Sequence, residues 1–386
     1  MPRYTTFFSK RVYSGLGPSF AGHVKVSGGR IVSVGPGLPE GPGIVLDVGD
    51  AKVMPGMIDL HIHGFRGNDV LAGDLDGLAD MAWHLAQEGV TAFQPTSAAA
   101  PPEVIERAIR AVRDFTVGPI RGARSLGLHM EGPFLSPEHK GAMPEEHLMS
   151  PDPALLGRWL DLSCGTIRQV TLAPELPGAL DAVRRLVADG ITASAGHTGA
   201  TYEEMLGGFD AGISLVTHTF NAMRGFHHRE PGAVGAALLA PGVYCELILD
   251  LVHVHEAAAR VLLAAKGADW VCLVTDAIAA AGLPAGKYKF LGREVTVDEK
   301  GRCLLPGGTL AGSTAVLRNC LRNFVESLGV PFGVALRAVT VNPAKVSGTW
   351  SRKGSLELGK DADVAVLDDS FNIMYCMVGG EMLKAP

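Results

Sequence analysis

Histidines and acids recur in one kind of place along this chain, at the ends of short apolar runs. The first case is PGMIDLHIHG, residues 55–64, where His61 and His63 stand one residue apart. In a strand, alternate side chains share a face, so the two imidazoles point the same way and can grip one ion. Taken alone, a His-x-His fits an ordinary strand as well as a metal site. The pattern repeats: GLHMEG carries His129 and Glu131, SAGHT carries His197, VTHTF carries His218 and LVTDA carries Asp276. Imidazoles with a carboxylate suit Zn²⁺ or Fe²⁺ better than Mg²⁺ or Ca²⁺. Glu131, His197 and His218 would leave a coordination position for water, whose pKa the metal lowers towards neutrality. Asp276 is suited to accept that water's proton and pass it to a leaving amine. His61 and His63, with Glu131 bridging and Asp276 alongside, could hold a second metal, so one or two divalent ions per subunit are expected.

These side chains converge only if one fold puts all the run ends on a single rim. Strand-like runs occupy 57–63, 89–97, 124–132, 167–175, 190–198, 212–220, 243–251 and 270–278. Helical stretches lie between most of them, at 78–87, 102–115, 179–188, 203–209 and 257–265, and the run 310–328 follows the eighth strand. The alternation predicts an α/β fold, a (β/α)8 TIM-like barrel, whose catalytic residues gather at the C-terminal ends of the strands. Near-continuous apolarity of the strands suits burial on both faces. Short β-like pieces fill the N-terminal segment, and the same texture returns in GSLELGKDADVAVLD and IMYCMVGGEML. A small β-sandwich domain built from both chain ends is therefore expected, residues 1–53 plus 353–386, around a catalytic barrel of residues 54–352. An insertion at 287–305 reads as extra β structure and leads into the glycine-rich loop PGGTLAGS.

Hydrophobic residues make up 47% of the chain and charged residues 19%, which supports a large core and argues against global disorder. The net charge of −6, with no Lys/Arg block, disfavours a nucleic-acid partner, so an anionic substrate must meet a local cluster of cations. The segment NAMRGFHHREPG supplies one, with Arg224, His227, His228 and Arg229 close together. The chain lacks the uninterrupted apolar run of about 18 residues that a membrane span needs. MPRYTTFFSK has no apolar core of the secretory kind. Six scattered cysteines without a C-x-x-C pair read as core thiols in a reducing cytoplasm.

Taken in order, PGMIDLHIHG, GLHMEGPF, TLAPE, SAGHT, VTHTFNAM, REPG, LVTDA, TLAGS and GSLELGKDADVAVLD resemble the N-acetylglucosamine-6-phosphate deacetylase family of the amidohydrolase superfamily, from about Ile31 to the C-terminus. The resemblance implies a metal held by Glu131, His197 and His218, with Asp276 as general base and acid. It implies hydrolysis of N-acetylglucosamine 6-phosphate to glucosamine 6-phosphate and acetate, in amino-sugar catabolism. It also implies a homodimer whose partner subunit lies near the substrate. The phosphate would meet the backbone at Asn221 and Ala222, with Arg229 and His253, and further substrate contacts would come from Ala142, Met143 and Leu310.

Two features bear on that resemblance. The family usually carries a carbonyl-polarising histidine in a KGAH-like segment, whereas His139-Lys140-Gly141-Ala142-Met143 ends in methionine, which cannot donate that hydrogen bond. His139, another donor or the metal alone is left to polarise the carbonyl, or the substrate differs. Members that lack both histidines at the 61 and 63 positions bind one metal, and this chain keeps both. The alternative is another amidohydrolase acting on a different N-acyl sugar or N-acyl amino acid, which Met143 favours. Cyclic-amide hydrolases fit less well, because the fourth strand ends TLAPE without the lysine they commonly carbamylate. A binding scaffold that has lost catalysis is disfavoured by the complete ligand set.

Overall fold

The computed structural model describes residues 4–386, and residues 1–3 of the expected N-terminal β segment lie outside that range. All eight expected barrel strands form: Met57–Ile62, Val90–Ser97, a split third strand (Arg124–Ser125 and Leu128–Glu131), Ile167–Leu172, Thr192–Ala195, Leu215–Val216, Tyr244–Ile248 and Val271–Val274. They pair in parallel and in sequence order. The ring closes between first and eighth strands, where the His63 amide donates to the Ala277 carbonyl and the Asp276 amide to the His61 carbonyl, at 2.8 and 2.9 Å.

A helix follows each strand, from Leu75–Gln87 after the first to Leu317–Glu326 after the eighth. Local signals set their starts. Pro102 opens Pro102–Val117, and Thr201 with Glu204 forms a reciprocal capping box at Tyr202–Ala211. Gly232–Leu239, GAVGAALL, is buried on nearly every side and so has no polar stripe by which its period could be read. Of the run 310–328, only Leu317–Glu326 is helical. Residues 310–316 are not helical: the chain bends at Gly312, and the Ser313 amide donates to the Asp276 carbonyl, which lays this stretch against the eighth strand end.

Strands from both chain ends share one eight-stranded sheet. Thr5–Val12 and Lys52–Pro55 pair in parallel, and Lys52–Pro55 pairs antiparallel with Val364–Leu367. The layered packing arises from a single sheet folding over its own apolar core, which includes Phe7, Val24, Val53, Val364 and Val366. The Ile31 amide donates to the Lys360 carbonyl across that fold. The insertion forms three antiparallel strands, Gly286–Phe290, Arg293–Val297 and Cys303–Leu304. Among the described residues no helix is long and apolar enough to cross a membrane.

Candidate active site

Each candidate side chain projects from the C-terminal end of its own strand. His61 is the last residue but one of the first strand and His63 lies one residue past it, Glu131 ends the third, and His197, His218 and Asp276 lie two residues past the fifth, sixth and eighth. His197, His218 and Asp276 all have positive φ (47°, 31° and 49°), a conformation non-glycine residues avoid unless their surroundings impose it. The strand-to-loop turns hold these three side chains inward at a conformational cost.

Two donor groups meet there. Nε2 of His218 lies 3.0 Å from one Glu131 oxygen and 3.1 Å from Nε2 of His197. Nε2 of His63 lies 3.1 Å from the other Glu131 oxygen, 3.2 Å from Asp276 Oδ1 and 3.3 Å from Nε2 of His61. In Glu131–His197–His218 and in His61–His63–Asp276, the ligand atoms lie within 4.8 Å of one another. Glu131 faces both groups.

The chemistry of these donors fits divalent cations. Three of the imidazoles use Nδ1 elsewhere: His61 on Glu246 at 3.0 Å, His63 on the Thr96 carbonyl at 3.2 Å and His197 on the His139 carbonyl at 2.9 Å. A carbonyl only accepts, so Nδ1 carries the proton there and Nε2 turns a lone pair to the shared centre, as metal ligands require. Burial by itself lowers the pKa of His61 and His63, but Glu131 and Asp276 outweigh it, raising His63 to about 9 and His61 well above its ordinary value. Burial opposes ionisation of Glu131 and Asp276 too, yet the surrounding histidines hold both carboxyls below their usual values. Carboxylates that hold positive charge this firmly can hold it as a metal ion. The Asp276 side chain keeps 13% of its surface open to the cavity.

The cavity above these groups has a volume of about 370 Å³, within the range of small-ligand sites. Ala142, Met143, Asn221, Ala222, His253 and Leu310 line it with the candidate ligands, as does Phe290 of the insertion, whose ring lies 5.8 Å from that of His63. Burial lowers the pKa of His253, but its hydrogen bond to Asp250, at 2.7 Å, raises it on balance. Gly141 lies against His197, where a Cβ would come within 3.2 Å of the ring at a φ of +56°.

Arg229 is not brought into the cavity. Its loop turns outward, closed by backbone hydrogen bonds between His227 and Glu230, and the Arg229 guanidinium rests on the exposed His228. His129 also stays out, one layer deeper, bonded to Thr171 at 2.7 Å, with its pKa driven well down by burial. Met143 packs into an apolar cluster with Ala98, Ala99 and Leu135. His139 sits behind Gly199 and contributes its backbone carbonyl to His197.

Sequence reasoning missed Glu246. It is fully buried on the seventh strand and accepts from His61 Nδ1, from the His218 amide (3.2 Å) and from Gln169 Nε2 (3.1 Å). Its signal was readable as an acid in the middle of the apolar run VYCELIL.

Comparison with known proteins agrees with this geometry. An N-acetylglucosamine-6-phosphate deacetylase of Bacillus subtilis (strain 168) is 36% identical over 367 residues, covering 94% of this chain and 92% of that protein. An N-acetylgalactosamine-6-phosphate deacetylase of Escherichia coli O157:H7 is 38% identical over 334 residues, 86% of this chain and 88% of that one. Among solved structures, a mutant N-acetyl-D-glucosamine-6-phosphate deacetylase from Mycobacterium smegmatis, in complex with N-acetyl-D-glucosamine-6-phosphate, superposes with a TM-score of 0.94 at 34% identity, covering 99% of this chain and all of that one. The model of the Amidohydrolase family matches residues 52–383, from the sheet strand Lys52–Pro55 through the whole barrel to the last sheet strand, and with that span the chain belongs to the amidohydrolase family.

Proposed function

We propose that the protein hydrolyses N-acetylglucosamine 6-phosphate to glucosamine 6-phosphate and acetate, in amino-sugar catabolism. The observation that carries this reading is the meeting of Glu131, His197 and His218 beside Asp276 at the floor of one cavity. Relatives from bacteria to human, at 36–39% identity, are named for the reaction. In this reading residues 54–352 form the catalytic unit, and residues 1–53 with 353–386 support it.

Glu131, His197 and His218 would hold one ion, and His61 and His63, with Glu131 and Asp276, would hold a second. Their imidazole and carboxylate donors favour Zn²⁺ or Fe²⁺. A bound ion supplies Lewis acidity, lowering the pKa of water and drawing charge from the acyl oxygen. Asp276, ionised at neutral pH, takes a proton from water as the oxygen adds to the acetamide carbon. It then gives that proton to the nitrogen as the C–N bond breaks. Met143 has no proton to donate and His139 is turned away, so neither contributes to polarising the carbonyl. The backbone at Asn221 and Ala222, with His253, receives the phosphate. Ala142, Leu310 and Phe290 enclose the sugar and acyl group.

Arg229 lies outside the cavity of its own subunit, which supports a homodimer in which it reaches the phosphate held by the neighbouring subunit. Light scattering that returns a monomer at assay concentration removes this part of the reading. The six free thiols, five of them buried, agree with a reducing cytoplasm.

Acetate release from the phosphorylated sugar is expected to exceed that from unphosphorylated N-acetylglucosamine by at least about a hundredfold in kcat/KM. Two charge-assisted hydrogen bonds of roughly 1.5–3 kcal/mol each account for that margin. Comparable rates on both sugars sink the phosphate pocket. A second reading, the galacto epimer, is favoured by the name of the Escherichia coli relative. Assaying N-acetylgalactosamine 6-phosphate alongside decides between them, and turnover of neither sugar phosphate turns the assignment to another N-acyl substrate. Exhaustive chelation is expected to abolish turnover and Zn²⁺ or Fe²⁺ to restore it, with one or two ions per chain by elemental analysis. Full activity in protein shown to be metal-free contradicts the metal-assisted route.

A further inference from the structure

A second cavity, of about 940 Å³, lies at the other end of the barrel, between the starts of the third to fifth strands and the turns of the terminal sheet. Its walls carry six cationic side chains, Arg30, Arg124, Arg168, Lys345, Arg352 and Lys353, and one carboxylate, Asp361, in a chain whose net charge is −6. Asp361 is fully engaged, by Arg30 at 2.5 Å, Arg352 at 3.0 Å and Lys353 at 3.3 Å. Lys353 also pairs with Asp363 at 2.5 Å.

Arg124, Arg168 and Lys345 have no carboxylate partner among the described residues. Local contacts differ among them. Arg124 is half-buried and donates to the Ile120 carbonyl at 2.5 Å. The stem of Arg168 lies over Gly127, where a Cβ would come within 2.6 Å of its Cγ. Lys345 stands 5.7 Å from the ring centre of Trp350. Three like charges beside one cavity repel one another unless an anion joins them, and Arg124, already held by the Ile120 carbonyl, binds such an anion with less loss of freedom.

We propose that this cavity is a second ligand site, separate from the catalytic one, and that it takes a small molecule bearing two or more linked phosphates. A phosphate monoester carries about 1.5–2 negative charges at neutral pH, short of the excess here, since Arg124, Arg168 and Lys345 are unpartnered and Arg30, Arg352 and Lys353 share only Asp361 and Asp363, whereas linked phosphates come closer to matching it. The volume lies in the small-ligand range, and a recessed cavity suits a small anion better than a polymer. Arg124 and Arg168 contribute planar forks to phosphate oxygens, and Lys345 contributes a point charge.

Calorimetric titration of the metal-loaded protein in 0.15 M salt, roughly where surface charge is well screened, tests the proposal with pyrophosphate and ADP as probes. One saturable event per chain is expected with at least one probe. Binding of ADP as well as pyrophosphate points to a nucleotide source, and binding of pyrophosphate alone to an inorganic one. The double variant Arg168→Gln/Lys345→Gln is expected to weaken binding at least tenfold while metal content and acetate release stay at parental values. Both side chains are exposed, so the fold should tolerate the change. Arg168→Lys, which keeps the charge and loses the fork, should fall between. No saturable binding by either probe overturns the site, and so does equal binding by the double variant, which assigns the anion to the metal centre instead.

Discussion

Asp276→Asn is expected to lower kcat for acetate release by about a thousandfold, within the range that a positioned general acid–base supplies. Asparagine has the same shape and keeps one oxygen facing the site, but it cannot take a proton at neutral pH. The variant separates two roles that the geometry combines, since Asp276 belongs to one candidate metal group and also opens onto the cavity. Elemental analysis should show the ion held by Glu131, His197 and His218 retained. KM should change little, because the substituted group acts on the proton rather than on the sugar. Turnover within tenfold of the parent removes Asp276 from the proton path. Loss of all metal assigns it to ion binding instead.

The rim residues were legible because strand ends carry two independent signals, an apolar run and a polar residue that terminates it. His61, Glu131, His197, His218 and Asp276 each follow that rule, and a parallel barrel turns a linear regularity into a spatial one. Pairings across the barrel leave no such trace. His61 and Glu246 are separated by 185 positions, and nothing in their spacing says that the seventh strand faces the first. The basic cavity was hidden for the same reason. Arg124, Arg168 and Lys345 form no cationic block, and only the barrel and the folded sheet bring them together. Arg229 shows the converse. Its loop was conspicuous by composition, but composition says nothing about direction, and the loop turns outward. In the insertion, β structure was readable from its alternation, whereas the approach of Phe290 to His63 depends on how the sheet docks.

Glu246→Ala is expected to damage both stability and metal binding, because three donors depend on that one buried carboxylate. His61 Nδ1, the His218 amide and Gln169 Nε2 all lose their acceptor in a place water does not reach. At about 1–3 kcal/mol for each orphaned donor, with partial relaxation, a loss of roughly 3–5 kcal/mol should appear in denaturant unfolding. Glu246→Gln separates the metal effect from the folding effect. It preserves volume and one acceptor oxygen, so stability should fall less, but the charge that orients His61 is gone. Affinity at the His61–His63 group should then fall about 10–100-fold, the usual effect of removing the partner behind a metal-bound histidine. Dialysis against a graded chelator, followed by elemental analysis, should show that ion leaving first from the Gln variant. The ion held by Glu131, His197 and His218 should leave later, since Glu246 reaches that group only through the His218 backbone amide. If the Gln variant keeps its metal as long as the parent does, the link from Glu246 through His61 to the ion does not exist, and the carboxylate serves the barrel interior alone.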